Sequence, residues 1–232
     1  MTLILSENEV RKLVSVKEAI SVIEDTFREY GKGRTQMPPK IYLYLPEYKG
    51  DFRAMPGYVK KTGACCLKWV NVHTQNKRFS MPTVMATIIL SDPKNGYPLA
   101  ILGGSCITAL RTGAAGALAA KYLARKDSKS VALVGCGIQA EYQLKALNEV
   151  FKINKVDVWG KTSFETNKFI SKNKLNGVEF SVFKKIEDCV KGADIVITTT
   201  PSRRPIVKLS WLKNNCHINA IGADAAGKQE LD

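Results

Sequence analysis

An α/β fold is predicted for this chain, with a doubly wound parallel sheet in its second half and an α+β domain before it. Three observations carry that reading. Residues 131–134 are a continuous apolar run that enters Gly135-Cys-Gly-Ile-Gln-Ala140, a strand leading into G-x-G-x-x-A. Residues 141–151 then space their apolar side chains as a helix does. From Ser128 onward, strand-like runs alternate with helical ones, which requires right-handed crossovers between parallel strands.

The elements follow in order. Ser15-Val-Lys-Glu18 has the form of a capping box and opens an amphipathic helix that ends near Gly31. Between Met37 and Leu90 the pattern turns to β, with strands expected at 41–45, 52–55, 64–71 and 83–91. Pro46, Pro56, Gly57, Pro82 and Pro93 break them. Asp92-Pro-Lys-Asn-Gly96 reads as a hairpin turn, with 97–102 returning. Residues 112–125 form a helix rich in Gly and Ala, suited to close packing, and bridge a first domain (1–115) and a second (116–232). Strands at 131–135, 156–160, 178–183, 194–199 and 216–222 build the second sheet. Five are visible where the two-half arrangement has six, and the chain ends at Asp232 without a closing helix. The sequence is therefore expected to be a shortened version of a longer protein.

Composition narrows the class. A chain of 232 residues, 45% hydrophobic and 24% charged, can bury a real core and has the balance of a soluble protein. No apolar run approaches the ~20 residues that span a bilayer, and the first residues lack the pattern of a signal peptide. Cys65, Cys66, Cys106, Cys136, Cys189 and Cys216 contain no C-x-x-C pair, and no histidines are spaced to complete a metal site. Reduced thiols in a cytoplasm are expected. The net charge of +14 raises nucleic acid as a partner, but the lysines are scattered, with no aromatic platform among them. An anionic cofactor and substrate suit that charge better.

The glycine turn is the strongest chemical signal. Gly135 permits the tight turn, Gly137 lets bare backbone approach a pyrophosphate, and Ala140 lets the new helix pack on the strand. The next strand ends in Gly160-Lys161-Thr162, with no acid for a ribose 2′-hydroxyl. Lys161 and Thr162 suit a 2′-phosphate, so NADP is favoured over NAD; Thr162 with Glu165 also reads as a helix cap. Thr198-Thr-Thr-Pro201 and Asp224 end later strands on the edge where such sheets bind ligands. The threonine run equally suits simple β propensity, and Asp224 a turn. Arg53, Lys68 and Arg111 are the cations that stand out. Lys68 interrupts an apolar strand, where partial burial makes an amine a usable acid or base. Arginine suits a carboxylate or pyrophosphate.

Seven segments together resemble the ornithine cyclodeaminase/μ-crystallin family, especially its archaeal alanine dehydrogenase branch. They are Gln36-Met-Pro-Pro-Lys40, Arg53-Ala-Met-Pro56, Leu67-Lys-Trp-Val-Asn71, Leu110-Arg-Thr-Gly-Ala-Ala115, Gly135-Cys-Gly-Ile-Gln-Ala140, Thr198-Thr-Thr-Pro-Ser202 and His217-Ile-Asn-Ala-Ile-Gly-Ala-Asp224. The resemblance implies a homodimer with a substrate and dimerisation domain beside a Rossmann-type domain. It implies Lys68 as acid/base with Asp224 as its catalytic partner, and Arg53 with Lys68 at the substrate. Thr83 and Arg111 would face the cofactor with Gly135, Gly137, Ile138 and Gln139. Gly160, Lys161 and Thr162 would lie at the ribose. Thr200, Ala220, Ile221, Gly222 and Ala223 would lie near the nicotinamide, with Lys228 beside them. The chain departs from the family in lacking the acid that NAD-using members tend to have where Gly160 stands, and in being shorter.

The function expected is reversible oxidative deamination of a small L-amino acid, L-alanine first, by an NAD- or NADP-dependent dehydrogenase. The alternatives are an ornithine cyclodeaminase that recycles its NAD and an NADPH-dependent ketimine reductase. A non-enzymatic ligand binder fits less well, because both Lys68 and Asp224 are present.

Overall fold

Ser6 and Ser15 each accept from the backbone N–H of a glutamate three residues on. Glu9 and Glu18 in turn accept the serine N–H groups, so two capping boxes start consecutive helices. In this computed structural model, which describes residues 1–232, these helices are α1 (Glu7–Leu13) and α2 (Val16–Gly31), after a short strand β1 (Leu3–Leu5). There follow β2 (Thr35–Gln36), β3 (Ile41–Leu45), β4 (Gly50–Val59), β5 (Ala64–His73), β6 (Val84–Ser91) and β7 (Pro98–Gly103). They form one seven-stranded sheet in the order β1-β7-β6-β5-β4-β2, with β3 also on β4. All pairings are antiparallel except β1 with β7.

Two expectations change in this half. β4 does not stop at Pro56 and Gly57 but runs on to Val59. On that side β3 pairs Gly50 to Ala54 and β2 pairs Tyr58 and Val59, so Pro56 lies in the gap between two partners. There its missing N–H costs no bond to β2 or β3. The small-residue helix, α3 (Ser105–Leu123), starts well before residue 112. The carboxylate of Glu7 accepts the N–H groups of Ser105 at 3.0 Å and Cys106 at 2.5 Å, capping the helix from a distant part of the chain.

The molecule divides into two units, Met1–Thr108 and Ala109–Asp232. That break falls within α3, as does the 115/116 boundary expected from the sequence.

The second unit alternates strand and helix. β8 (Ser130–Val134), α4 (Ile138–Val150), β9 (Lys155–Trp159), α5 (Ser163–Lys172), β10 (Glu179–Val182), α6 (Ile186–Val190) and β11 (Ile195–Thr198) come first. β12 (Arg203–Val207), β13 (His217–Ala220) and β14 (Gln229–Leu231) follow. The main sheet has the order β10-β9-β8-β11-β13 and is parallel throughout. Val131 to Val134 and Ile195 to Ile197 are buried, which is why these strands read as unbroken apolar runs. β12 and β14 were not expected; they pair in parallel as a separate two-stranded sheet.

The small residues of α3 have a packing reason. A Cβ on Gly116 would lie 2.0 Å from Gln143 Oε1, so α3 and α4 lie in direct contact. Gln143 donates to the Thr112 carbonyl at 2.8 Å, and Asn219 of β13 donates to the Gly116 carbonyl at 2.9 Å. At the start of the sheet, Asp194 accepts the N–H groups of Lys129 and Ser130 and the Ser130 hydroxyl, with Arg125 and Lys213 as ion partners.

Candidate functional site

In the second unit β9 lies on one side of β8 and β11 on the other. The switch in winding direction therefore falls at the carboxyl ends of β8 and β11, where open sheets of this kind bind ligands. Gly135 follows β8 with φ 115°, a conformation side chains rarely adopt, and a Cβ there would lie 2.6 Å from Thr199 Oγ1. Gly137 is the N-cap of α4. No side chain caps it, and nothing lies within 4 Å of the point a Cβ would occupy. The end of α4 thus presents N–H groups and a positive dipole end to open space, with Ile138 exposed beside it. Two buried oxygens close by, Gln139 Oε1 and Thr199 Oγ1, have no hydrogen-bond partner. An anionic, hydroxyl-rich dinucleotide fits these residues: phosphate at the helix end, and hydroxyls for the orphaned oxygens.

At the end of β9, Gly160 packs under the glycine turn. A Cβ on it would lie 2.7 Å from Cys136 Sγ and 2.8 Å from Thr166 Cγ2. Burial, with the Glu165 charge adding to it, pushes the Cys136 thiol up to about 11. Lys161 and Thr162 are exposed, and Thr162 accepts the Glu165 N–H at 3.2 Å as the cap of α5.

The ends of β11 and β13 meet over one carboxylate. Thr200 offers both its N–H and its hydroxyl to Glu230, and Gly222 offers its N–H. The backbone from Ala220 to Ala223 is further held by Ile221 and Gly222 N–H bonds to the Thr198 carbonyl, at 2.9 and 3.2 Å. Asp224 follows, half exposed, with Lys228 Nζ 2.5 Å from its Oδ1. Arg111 on α3 is drawn below its ordinary value by the protein around it, and the charge of Asp224 opposes that shift.

In the first unit, cross-strand register sets the geometry. Tyr42, Arg53, Val70 and Ala86 form one row across β3 to β6, and Met55, Lys68 and Ile88 form the next row on the same face. Arg53 and Lys68 are therefore diagonal neighbours on one face. Arg53 is buried, lies over the Tyr42 ring at 5.2 Å, and donates through Nε and Nη2 to Asp51. Lys68 is half-buried. Thr83 precedes β6, and its carbonyl accepts the His73 N–H at 2.9 Å.

The expected residues thus fall into two groups. The second unit brings Gly135, Gly137, Ile138, Gln139, Gly160, Lys161, Thr162, Thr200, Ala220 to Ala223, Asp224 and Lys228 to the carboxyl edge of its sheet, with Asp224 acting on Arg111. The first unit brings Arg53 and Lys68 onto one face of its sheet. Asp51 and Glu230 were missed. Asp51 stands two residues before Arg53 in a strand, so strand periodicity places the two on one face. Glu230 carries no such local signal.

The parallel sheet, the glycine turn and the open helix end define a Rossmann-type α/β unit. The chain belongs to the ornithine cyclodeaminase/mu-crystallin family, whose profile matches residues 1–232. It is 48% identical over 231 residues to the alanine dehydrogenase of Archaeoglobus fulgidus, covering 100% of this chain and 70% of that protein. Among solved structures it is similar to an archaeal alanine dehydrogenase dimer with bound NAD, at 48% identity and a TM-score of 0.94, over 100% of this chain and 70% of that one. It is also similar to the Δ(1)-pyrroline-2-carboxylate reductase of Thermococcus litoralis in complex with NADH and L-proline. There the identity is 36% and the TM-score 0.92, over 100% of this chain and 72% of that one. No helix is long and apolar enough to cross a membrane.

Proposed function

We propose that this chain catalyses the reversible oxidative deamination of a small L-amino acid, L-alanine first, with a nicotinamide dinucleotide. The observation that carries the reading is the 48% identity to an alanine dehydrogenase along the whole chain. The open, glycine-capped end of α4 beside the partnerless oxygens of Gln139 and Thr199 supports the cofactor half. The first unit is taken to bind the amino acid and pair with a second copy, and the second unit to bind the dinucleotide, in a cytoplasmic homodimer.

The bound dinucleotide supplies the hydride acceptor, and donor in reverse. Gly135, Gly137, Ile138 and Gln139 hold its pyrophosphate, and Gly160, Lys161 and Thr162 its adenosine ribose. Thr200, Ala220 to Ala223 and Lys228 hold the nicotinamide end, with Thr83 and Arg111 facing it. Arg53, steadied by Asp51 and Tyr42, binds the substrate carboxylate and so orients the α-carbon. Lys68 on the same sheet face carries the proton of the amino group, and Asp224 takes a proton from the water that releases ammonia.

NAD is the cofactor bound in the solved relatives, and NADP is weighed beside it because Lys161 and Thr162 are exposed at the end of β9. Cys136 and Thr166 also crowd the point where an acidic side chain at residue 160 would begin. A second reading, reduction of a cyclic imino acid, draws on the 36% identity to a pyrroline-carboxylate reductase. The test is nicotinamide absorbance with L-alanine, L-ornithine or L-proline, each with NAD⁺ and with NADP⁺. Steady reduction with L-alanine is expected. Proline formed from ornithine without net reduction makes the protein a cyclodeaminase, and reduction with L-proline alone makes it an imine reductase.

A further inference from the structure

Glu230 has no part in the chemistry above, yet its side chain is among the largest that are fully buried, at 1% exposure. β14 carries it beneath the carboxyl ends of β11 and β13. Its Oε1 accepts the Thr200 N–H at 2.6 Å and the Thr200 hydroxyl at 2.7 Å. Its Oε2 accepts the Thr198 hydroxyl at 2.7 Å and the Gly222 N–H at 2.8 Å. These donors are two hydroxyls and two backbone N–H groups, so the charge fastens backbone instead of neutralising a cation. Bonds of that kind are short and directional. The fit leaves no slack: a Cβ on Gly222 would lie 2.1 Å from the Thr200 carbonyl oxygen and 2.6 Å from Glu230 Oε1.

We infer that Glu230 is a positioning residue: it locks the loop after β11 to the loop after β13, fixing the backbone that presents Ala220 to Ala223 and Asp224. The inference deepens the function proposed above and rests on it for the role of Asp224; the brace itself does not. A buried carboxylate that served stability alone would not need both N–H donors to come from the two ligand-edge loops.

Glu230→Gln tests it. The amide keeps an acceptor for Thr200 but turns an NH2 group toward the Gly222 N–H. The carboxylate's bond to the Asp224 loop therefore breaks, leaving that loop its bonds to the Thr198 carbonyl, while the Thr200 side survives. Amide exchange at residues 221–224 is expected to speed up about tenfold. NADH, titrated by its fluorescence, is expected to bind about tenfold more weakly. The pH profile of kcat/KM for L-alanine shifts, while the KM for L-alanine holds. Exchange and NADH affinity within about twofold of the parent overturn the inference, and so does a change confined to the unfolding midpoint. If Glu230→Gln does not fold, Glu230→Asp, whose shorter side chain cannot reach both the Thr200 and the Gly222 N–H groups, is read in the same way. Neither exchange nor NADH binding needs turnover. A parent protein that binds NADH but leaves L-alanine untouched therefore overturns the substrate reading, while these two measurements still decide the role of Glu230.

Discussion

Asp51 grips the guanidinium of Arg53 at two points, with Nε 2.7 Å from Oδ1 and Nη2 3.2 Å from Oδ2. Both side chains are largely buried, at 8% exposure for Arg53 and 17% for Asp51. Removing the acid takes a two-point partner away from that buried cation. Asp51→Ala is expected to destabilise the first unit by about 3 kcal/mol, the low end for breaking a buried pair, because Arg53 keeps its contact with Tyr42. Urea unfolding measures this. In Asp51→Asn, which keeps a hydrogen bond, the KM for the amino acid is expected to rise with little change in kcat.

The two glycines of the turn are predicted to fail differently. Gly135→Ala forces a side chain into φ 115° and against Thr199 Oγ1, and is expected to cost about 2 kcal/mol or more of stability. Gly137→Ala meets no neighbour and starts from an ordinary φ of −85°. It is expected to fold as the parent does yet bind NADH about tenfold more weakly, because its methyl fills the approach to the pyrophosphate. Thermal unfolding and NADH titration, run on both variants, separate the two effects.

Asp194 predicts an acid-sensitive step. Burial raises its pKa, but Lys213, the N–H groups of Lys129 and Ser130, and the Ser130 hydroxyl outweigh burial and hold it well below the usual carboxylate range. A depressed folded-state value means the stabilisation is complete above the unfolded value, near 4, and is lost as pH falls from there toward the folded value. Asp194→Asn is expected to lose about 2 kcal/mol at pH 7 and to show a flatter decline in urea midpoint between pH 5 and pH 2. Parallel declines in the two proteins would remove Asp194 from the acid response.

With the Cys136 thiol pushed up to about 11, almost none of it is thiolate at pH 8. Iodoacetamide labelling of the native protein followed by mass spectrometry is expected to leave Cys136 and the fully buried Cys189 unmodified, and to label both after unfolding.

Lys68→Ala is expected to abolish turnover of L-alanine while NADH affinity stays within about twofold of the parent. Turnover that survives would take Lys68 out of the chemistry.

Local signals in the sequence go far in this protein. The Ser15 capping box, the apolar runs of β8 and β11, the glycine turn and the alternation of strand and helix each depend on residues within a turn or two of one another. Chemistry between near neighbours is visible in order along the chain. What local pattern could not show depends on partners far apart. Pro56 reads as a strand breaker until β2 and β3 are seen to leave it unpaired on one side. α3 reads as starting near residue 112 until Glu7 caps it at Ser105. Glu230 reads as one acid in a polar tail until β14 buries it against Thr198, Thr200 and Gly222. By itself the sequence determined the kind of fold and the glycine turn, and it named the cations and carboxylates proposed for the chemistry. Only the tertiary structure decided which carboxylates hold other residues in place, because a buried charge finds its donors through packing and not through spacing.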